Sequence, residues 1–320
     1  MAVNCGHTGQ PADRIQAVGL ELVKIILFTL PYVITSSATN LEDRVTQVLE
    51  MTDIVASTPH TQETLVDPYP TDDVEQKPMA CVNVLSILQK QLQNEASNGW
   101  PLSCIPRVYK PDVAIVDDET NGDADPKTAQ KHAFPSIVVP EKVNPGPRAL
   151  FPELYFSLFA DQEVESVPPT SDIASSLIRD AVVDTINILD YNRNVAAKFL
   201  IELDCYWAPD TFVKRSTAFD KLKDIPEGKR RWKPEDVVVD AVFSQIMQLP
   251  KPERKLVYYH SLITEACKFA PAAIAPSLGR AIRFLFKGAE TMDMELVYRY
   301  MDWFAHHLSN FDFRWKWTEW

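Results

Sequence analysis

The sequence predicts an all-α protein built as an α-solenoid of HEAT-like antiparallel helix pairs, and three observations lead to this fold class. From residue 170 onward, apolar residues recur at helical spacing in one segment after another. Prolines mark the turns between these segments, and the chain contains 24 of them in 320 residues. Its nine glycines are few for phosphate-binding loops or tight β-hairpins. Nucleotide-binding α/β folds and all-β folds therefore both lose support.

The N-terminal part, residues 15–66, is predicted to contain two helices. The first is expected to end near Pro31, because proline interrupts the hydrogen bonding of a helix. Thr39 and Asn40 are expected to cap the second helix, whose first turn is acidic and so complements the helix dipole. Residues 1–14 match no pattern and are treated as a separate N-terminal stretch.

The stretch from Ala17 to Ile34 is apolar enough to raise the question of a membrane helix. It is short for a membrane span, and it contains Glu21, Lys24 and Pro31. We therefore expect a buried core helix and no membrane association.

Residues 67–149 are predicted to form a proline-rich, partly disordered connector. Fifteen of the 24 prolines fall between residues 57 and 170. One helix is expected within the connector, from Met79 to Asn94, because apolar residues share one stripe there. Residues 117–131 are strongly polar and are predicted to be disordered.

The C-terminal part, residues 150–320, is predicted to be a repeat domain of three helix pairs. Thr170 or Ser171 is expected to cap the first helix, whose broad apolar face requires neighbours on two sides. The third helix is apolar nearly all round and should lie inside the domain. Proline-marked turns every 35–40 residues are typical of a solenoid. The six helices are expected at about 172–190, 193–207, 234–249, 253–269, 276–288 and 293–308.

Charge and cysteine content restrict the function. A formal charge of −12 argues against nucleic-acid binding by this chain alone, because such binding depends on Lys and Arg neutralising phosphates. The five cysteines show no C-x-x-C spacing, which favours a reducing compartment over a disulfide framework or a zinc site. We expect no cofactor.

No catalytic or metal-binding motif is present, so we predict that the chain is not an enzyme. The segment Ala275–Gly279 lacks the first glycine of a serine nucleophile elbow. Asp302 and His306, four residues apart on one helix face, could supply half of a metal site, but the sequence offers no further ligands nearby. With Glu295 and Arg299 they are expected to form a polar strip that is either solvated or hydrogen-bonded between helices.

Aromatic residues near the C-terminus are the chemically unusual feature of the sequence. From Phe311 to Trp320 they alternate with polar residues, which predicts an extended aromatic strip. Packing of these rings against protein is favoured over stacking on nucleic-acid bases, because the charges between them nearly cancel and leave little positive charge for a phosphate backbone. The basic run Lys229–Lys233 could contact phosphate or an acidic partner, although a solvated loop is the simpler interpretation. The candidate packing or partner-facing residues are Trp303, His306, His307, Phe311, Phe313, Trp315 and Trp317.

The segment Met301–Trp317 resembles the W-F-x-H-H-L-S-N-F-x-F-x-W-x-W segment of the large subunit of the nuclear cap-binding complex. The segments Ile173–Asp180, Phe243–Tyr259 and Ala273–Phe284 also resemble the fungal branch of that family. The likeness is strong over residues 150–320 and looser over residues 15–100.

The resemblance implies three successive helical domains, each similar to the middle domain of the large translation-initiation scaffold. This chain would then contain the end of the first domain (15–66), the connector (67–149) and the second domain (150–320). It also implies a nuclear scaffold, with possible shuttling to the cytoplasm, that forms a heterodimer with a small subunit of RNA-recognition fold. That small subunit binds the methylated cap, so capped RNA would be held indirectly, and the scaffold would recruit export, splicing and decay factors. The alternative is a related helical scaffold of cytoplasmic translation initiation or mRNA decay.

Overall fold

Helices make up the regular structure of the part of the chain that the computed structural model describes: residues 14–36, 41–60, 62–71, 77–78, 82–107, 136, 151–226, 228–315 and 317–319. The predicted all-α class is confirmed for these residues. They contain α1 (Arg14–Ser36), α2 (Glu42–Ser57), α3 (Val84–Ser97), α4 (Ile173–Ile188), α5 (Arg193–Ile201), α6 (Pro234–Ile246), α7 (Leu256–Phe269), α8 (Pro271–Gly288) and α9 (Met294–Asn310).

The helices after residue 170 stack in two rows, as expected for a solenoid. In one row α4 packs against α6 and α6 against α8, and in the other α5 packs against α7 and α7 against α9. Contacts of α4 with α5, and of α6 with α7, join the rows. The helices α1, α2 and α3 pack on one another, and α3 also contacts α4. One core therefore runs from Leu27 of α1 to Trp303 of α9.

Several helix ends differ from the sequence prediction because other side chains make the caps. Asp172, rather than Thr170 or Ser171, caps α4 by accepting a hydrogen bond from the backbone N–H of Ala174. Thr170 instead donates its hydroxyl proton to Asp161 at 2.7 Å. At the start of α2 the N-cap position is Leu41, without a side-chain cap. Thr39 and Asn40 lie outside the described residues.

Two prolines predicted to end or begin helices lie inside them. The helix α1 continues through Pro31 to Ser36, and α8 begins at Pro271 and continues through Pro276. A proline inside a helix removes one backbone hydrogen bond. Pro31 is itself buried, and around Pro276 both Ile274 and Leu278 lie in the core, so burial offsets the lost bond. The boundary predictions at Pro31 and Pro276 were wrong for this reason.

The helix expected from Met79 begins at Val84, where the preceding backbone pairs with another segment. Asn83 caps the helix, and the N–H of Tyr155 donates to the carbonyl of Val82 at 2.8 Å. Residues 79–81, 108–135 and 137–150 lie outside the described residues, as do residues 1–13. The division of the chain at residues 66 and 149 stays a prediction, as does disorder in the connector.

Three later helices are also shorter than predicted. The helix α5 ends at Ile201 and is followed by a 3₁₀ turn at Leu203–Tyr206, α6 ends at Ile246, and α7 begins at Leu256. Helix termini commonly fray into 3₁₀ turns, and periodicity alone does not locate them.

One described helix, α1, has a stretch long and apolar enough to cross a membrane, Gly19–Ser36. Leu27 and Leu30 on this helix are buried against the rest of the protein, whereas Ile25, Ile26 and Val33 are exposed. The expectation of a buried core helix therefore holds for one face of α1 only.

All thirteen residues of α6 are buried, which confirms its predicted interior position. The burial includes acidic residues that the apolar pattern did not explain. Asp240 accepts hydrogen bonds from Ser157 Oγ at 2.9 Å and from the backbone N–H of Leu158 at 2.5 Å, and it forms an ion pair with Arg179 of α4. These bonds fasten the segment before α4 to the centre of the domain.

Candidate interaction surface in the aromatic segment

The aromatic segment, residues 303–317, begins on α9 with a core residue. Trp303 is fully buried, and its ring meets the ring of Phe243 of α6 edge to face, with 4.6 Å between centroids. Such edge-to-face pairs add stability beyond the burial of apolar area. Trp303 therefore anchors α9 to the central helix and is not available to a partner.

The two adjacent histidines have different surroundings. His307 stacks on Trp303 at 5.4 Å and contacts Phe311 at 4.7 Å. His306 lies 5.5 Å from the ring of the buried His260 on α7. Burial, followed by the nearby His306, lowers the pKa of His307 to about 4, and burial also lowers the pKa of His306. His306 therefore lies where α9 meets α7, whereas His307 packs along α9 itself.

The chain does not continue as an extended strip after α9, so that prediction was wrong. Asp312 and Phe313 have positive φ angles of 54° and 55°, and the N–H of Phe313 donates to the carbonyl of Leu308 at 2.8 Å. A 3₁₀ turn follows at Trp317–Glu319. The reversal satisfies a carbonyl at the end of α9, which an extended strand would leave unpaired. Alternation in the sequence gave no sign of this turn.

The turn divides the aromatic residues into packed and exposed groups. Trp315 contacts the edge of Phe304 at 5.6 Å, and the guanidinium of Arg283 lies 5.6 Å from the centroid of its ring. Phe311 is also partly buried against the core. In contrast, Phe313 and Trp317 are 64% and 53% exposed. Packing thus describes part of the segment, and the rings of these two side chains are largely exposed.

The polar strip predicted on α9 is not solvated along its length. Arg299 is only 3% exposed and donates to the carbonyls of Ile246, Gln248 and Pro250 at 2.8–3.1 Å. Its Nε also donates to Glu295 at 3.0 Å. A guanidinium has five N–H donors, so this one buried side chain can pair with several carbonyl groups at and just after the end of α6. Arg299 therefore takes the second of the two predicted arrangements, hydrogen bonding between helices.

The described residues do not form a group of metal ligands around His306. Across the described ranges, no three His, Cys, Asp or Glu side chains are grouped as metal ligands. Asp302 and His306 therefore have no third ligand within this part of the chain.

The basic run Lys229–Lys233 is largely committed to contacts within the protein. Arg230 lies over the ring of Trp232 at 4.6 Å, and Arg231 donates to the carbonyl of Ile225 at 2.7 Å. Lys233 is buried and donates to the carbonyl of Thr217 at 2.6 Å. The run therefore closes a loop against the helices, and these contacts do not favour phosphate binding.

Sequence reasoning missed an apolar cavity of about 560 Å³ between α1, α4 and α5. Phe199, Leu203 and Tyr206 line it at a spacing that continues the period of α5. The signal for this cavity in the sequence was the apolar face of α5, which carries more apolar residues than packing against the core requires.

Acidification is predicted to destabilise the protein through His260. Burial, and secondarily the charge of His306, lowers its pKa to about 4, while Asp302 opposes the shift. The folded protein thus favours the neutral ring. Between pH 6.5 and 4 the unfolded chain takes up a proton at His260 that the folded protein does not, so the free energy of unfolding decreases as the pH falls through this range. Lowering the pH from 7.5 to 5.0 should cost about 2 kcal/mol through this residue. Urea unfolding at both pH values would measure it.

The control for this prediction is His260→Gln, which keeps a polar side chain but cannot titrate in this range. The change in unfolding free energy between the two pH values should be smaller in the variant by about 2 kcal/mol. Equal pH dependence in both proteins would contradict the role assigned to His260.

Comparison with known proteins places these features in a family context. The MIF4G-like family matches residues 168–320. Nuclear cap-binding protein subunit 1 of Schizosaccharomyces pombe is 32% identical over 309 residues, covering 94% of this chain and 37% of that protein. Nuclear cap-binding protein complex subunit 1 of Saccharomyces cerevisiae is 34% identical over 159 residues, covering 49% of this chain and 18% of that protein. Nuclear cap-binding protein subunit 1 of Homo sapiens is 27% identical over 244 residues, covering 76% of this chain and 27% of that protein.

The matched region spans little more than a third of the length of the fission-yeast relative and less of the other two. The resemblance noted from the aromatic segment is confirmed by these matches.

Proposed function

This chain is homologous to nuclear cap-binding protein subunit 1 and contains a MIF4G-like domain, and from that premise we propose that it acts as a scaffold subunit of a nuclear cap-binding complex. In this proposal the chain binds a small subunit of RNA-recognition fold, and that subunit holds the methylated guanosine cap. The observation that carries the proposal is the similarity to the fission-yeast protein along 94% of this chain. The chain itself performs no catalysis.

The physical character of the chain supports a protein-binding role. Its charge of −12 is unfavourable for direct binding of an RNA backbone, and three of the basic side chains in the run 229–233 already contact protein groups. Stacked helices also provide extended surfaces suited to protein partners. Capped RNA would therefore be held through the small subunit, in the nucleus, and export, splicing and decay factors would bind the assembled complex.

Within the aromatic segment, we assign the partner-facing role to Phe313 and Trp317. Exposed aromatic side chains are enriched at the energetic centres of protein interfaces. Trp303, His307 and Trp315 instead pack within the fold, where their rings contact other rings. His306 lies against His260 of α7.

The proposal is tested by co-expressing the chain with the small subunit and passing the mixture over a cap-analogue resin. Retention of both proteins is expected only when they are present together. Phe313→Ala combined with Trp317→Ala should weaken retention of this chain at least tenfold. The matched control is Tyr191→Ala, which removes an aromatic ring that is 78% exposed between α4 and α5.

Circular dichroism distinguishes the possible failures. If the chain is helical and melts cooperatively but does not bind the small subunit, the proposed function is wrong for this segment. The helical scaffold of cytoplasmic translation initiation or mRNA decay would then become the leading alternative. Retention that is unchanged in the double variant would contradict only the role of Phe313 and Trp317.

A further inference from the structure

The apolar cavity lies where the C-terminal half of α1 meets α4, α5 and the loop that follows α3. Its walls combine aliphatic and aromatic side chains from all four parts of the chain, and its volume is about 560 Å³. Volumes of this size are typical of sites that enclose a ligand. The lining includes Tyr32, Ile105, Val182, Phe199, Tyr206 and Trp207.

Aromatic side chains remain accessible around the cavity. Tyr32, Phe199 and Tyr206 are between 41% and 50% exposed, although each also contributes to the lining. The rings of Phe199 and Tyr206 lie 5.9 Å apart. Grouped exposed apolar surface is uncommon on a protein without a binding role. A group that enters the cavity would bury these side chains further.

Carboxylates stand beside this apolar surface. Asp180 and Asp184 are one turn apart on α4, each immediately before a lining residue, Ala181 or Thr185. Both lie close enough to Tyr32 to help raise its pKa to about 12, after the larger effect of burial. A ligand in the cavity would therefore extend past two acidic side chains.

The negative charge near α4 is only partly neutralised. Lys24 of α1 lies close enough to act on Asp180, but it already forms ion pairs with Glu21 at 2.9 Å and with Glu153 at 3.1 Å. Burial, and then the charge of Asp184, raises the pKa of Asp180 to about 6, although Lys24 acts in the opposite direction. A cation brought close to Asp180 and Asp184 would relieve this repulsion.

We propose that the cavity binds a peptide segment of a partner protein, with one aromatic or large aliphatic side chain inside the cavity and neighbouring Lys or Arg side chains paired with Asp180 and Asp184. The apolar lining accounts for the anchor residue, and the two carboxylates account for the basic flanks. Phosphate-bearing ligands are disfavoured by the same carboxylates. The inference stands independently of the proposed cap-binding role.

The test begins with selection from a phage-displayed library of random twelve-residue peptides against the whole chain. Enriched peptides should contain an aromatic or large aliphatic residue beside Lys or Arg. The best of them, labelled with fluorescein, should bind in fluorescence anisotropy. Replacing its anchor residue with Ala, or its basic residues with Glu, should weaken binding at least tenfold.

Variants of the chain then locate the site. Asp184→Lys and Tyr206→Ala alter exposed positions at the cavity and should each weaken binding about tenfold without loss of helicity. Glu290→Lys, an equal change of charge at the exposed α8–α9 turn, should have no effect. The proposal is overturned if no peptide is enriched, if enriched peptides lack the anchor and the basic flank, or if Asp184→Lys and Tyr206→Ala bind as tightly as Glu290→Lys.

Discussion

Replacing Asp240 with Ala is expected to destabilise the protein by about 3–5 kcal/mol, the usual cost of breaking a buried ion pair from one side. Asp240 is 3% exposed and lies on α6, a helix whose residues are all buried. Its removal leaves the guanidinium of Arg179 without its carboxylate and leaves Ser157 and the N–H of Leu158 without their acceptor. Because Asp240 is buried, bulk water cannot readily replace these bonds.

Urea unfolding followed by circular dichroism would measure the effect. Asp240→Asn should fall between Ala and the parent chain, because an amide oxygen can still accept hydrogen bonds but carries no charge. Asp224→Ala, at an exposed loop position, provides the control and should change stability by no more than about 0.5 kcal/mol. A loss below 1 kcal/mol in Asp240→Ala would contradict the assigned role.

Replacing Arg299 with Met is expected to cost about 3 kcal/mol. Met approximates the length and volume of the side chain but donates no hydrogen bonds, so the carbonyls of Ile246, Gln248 and Pro250 lose a shared donor. The carbonyl group of Ile246, at the end of α6, would then be unpaired in the interior.

The comparison with Arg299→Lys makes this prediction specific. Lys keeps the positive charge but has three donors on one nitrogen and cannot reproduce the planar arrangement of Arg, so it should recover less than half of the loss. Arg193→Met is the matched control, since Arg193 is about half exposed and its contact with Glu265 is 3.7 Å long. Thermal and urea unfolding should rank the stabilities as parent chain, Lys variant, Met variant. Equal stability of the Lys and parent proteins would show that charge alone is sufficient.

The fold was largely predictable because apolar periodicity records which helix faces are buried. The interior position of α6 followed directly from its lack of a polar side. The caps and proline positions did not follow, because they depend on tertiary contacts that a local pattern does not contain. Asp172 competes with two neighbouring residues of similar capping ability, and Pro31 is tolerated because it is buried.

The candidate surface was predictable in composition and not in arrangement. The alternation of aromatic residues identified an unusual segment, but two successive positive φ angles, at Asp312 and Phe313, decide which rings face outward. Neither residue is a glycine, so the sequence carries no strong signal for that geometry. For Arg299 the sequence left solvent exposure and hydrogen bonding between helices open, because helical spacing does not show which carbonyl groups lie opposite the side chain.

The complete burial of α6 has a consequence for how the chain can vary. A helix with a solvent-facing side has positions where side chains can change without disturbing a neighbour. All thirteen residues of α6 contact the interior, and its acidic residues are tied to particular donors on other segments. A substitution accepted at one of these positions would therefore require a matching substitution at its partner residue. We expect the centre of the domain to vary in linked groups of residues, and its outer helices to vary one position at a time.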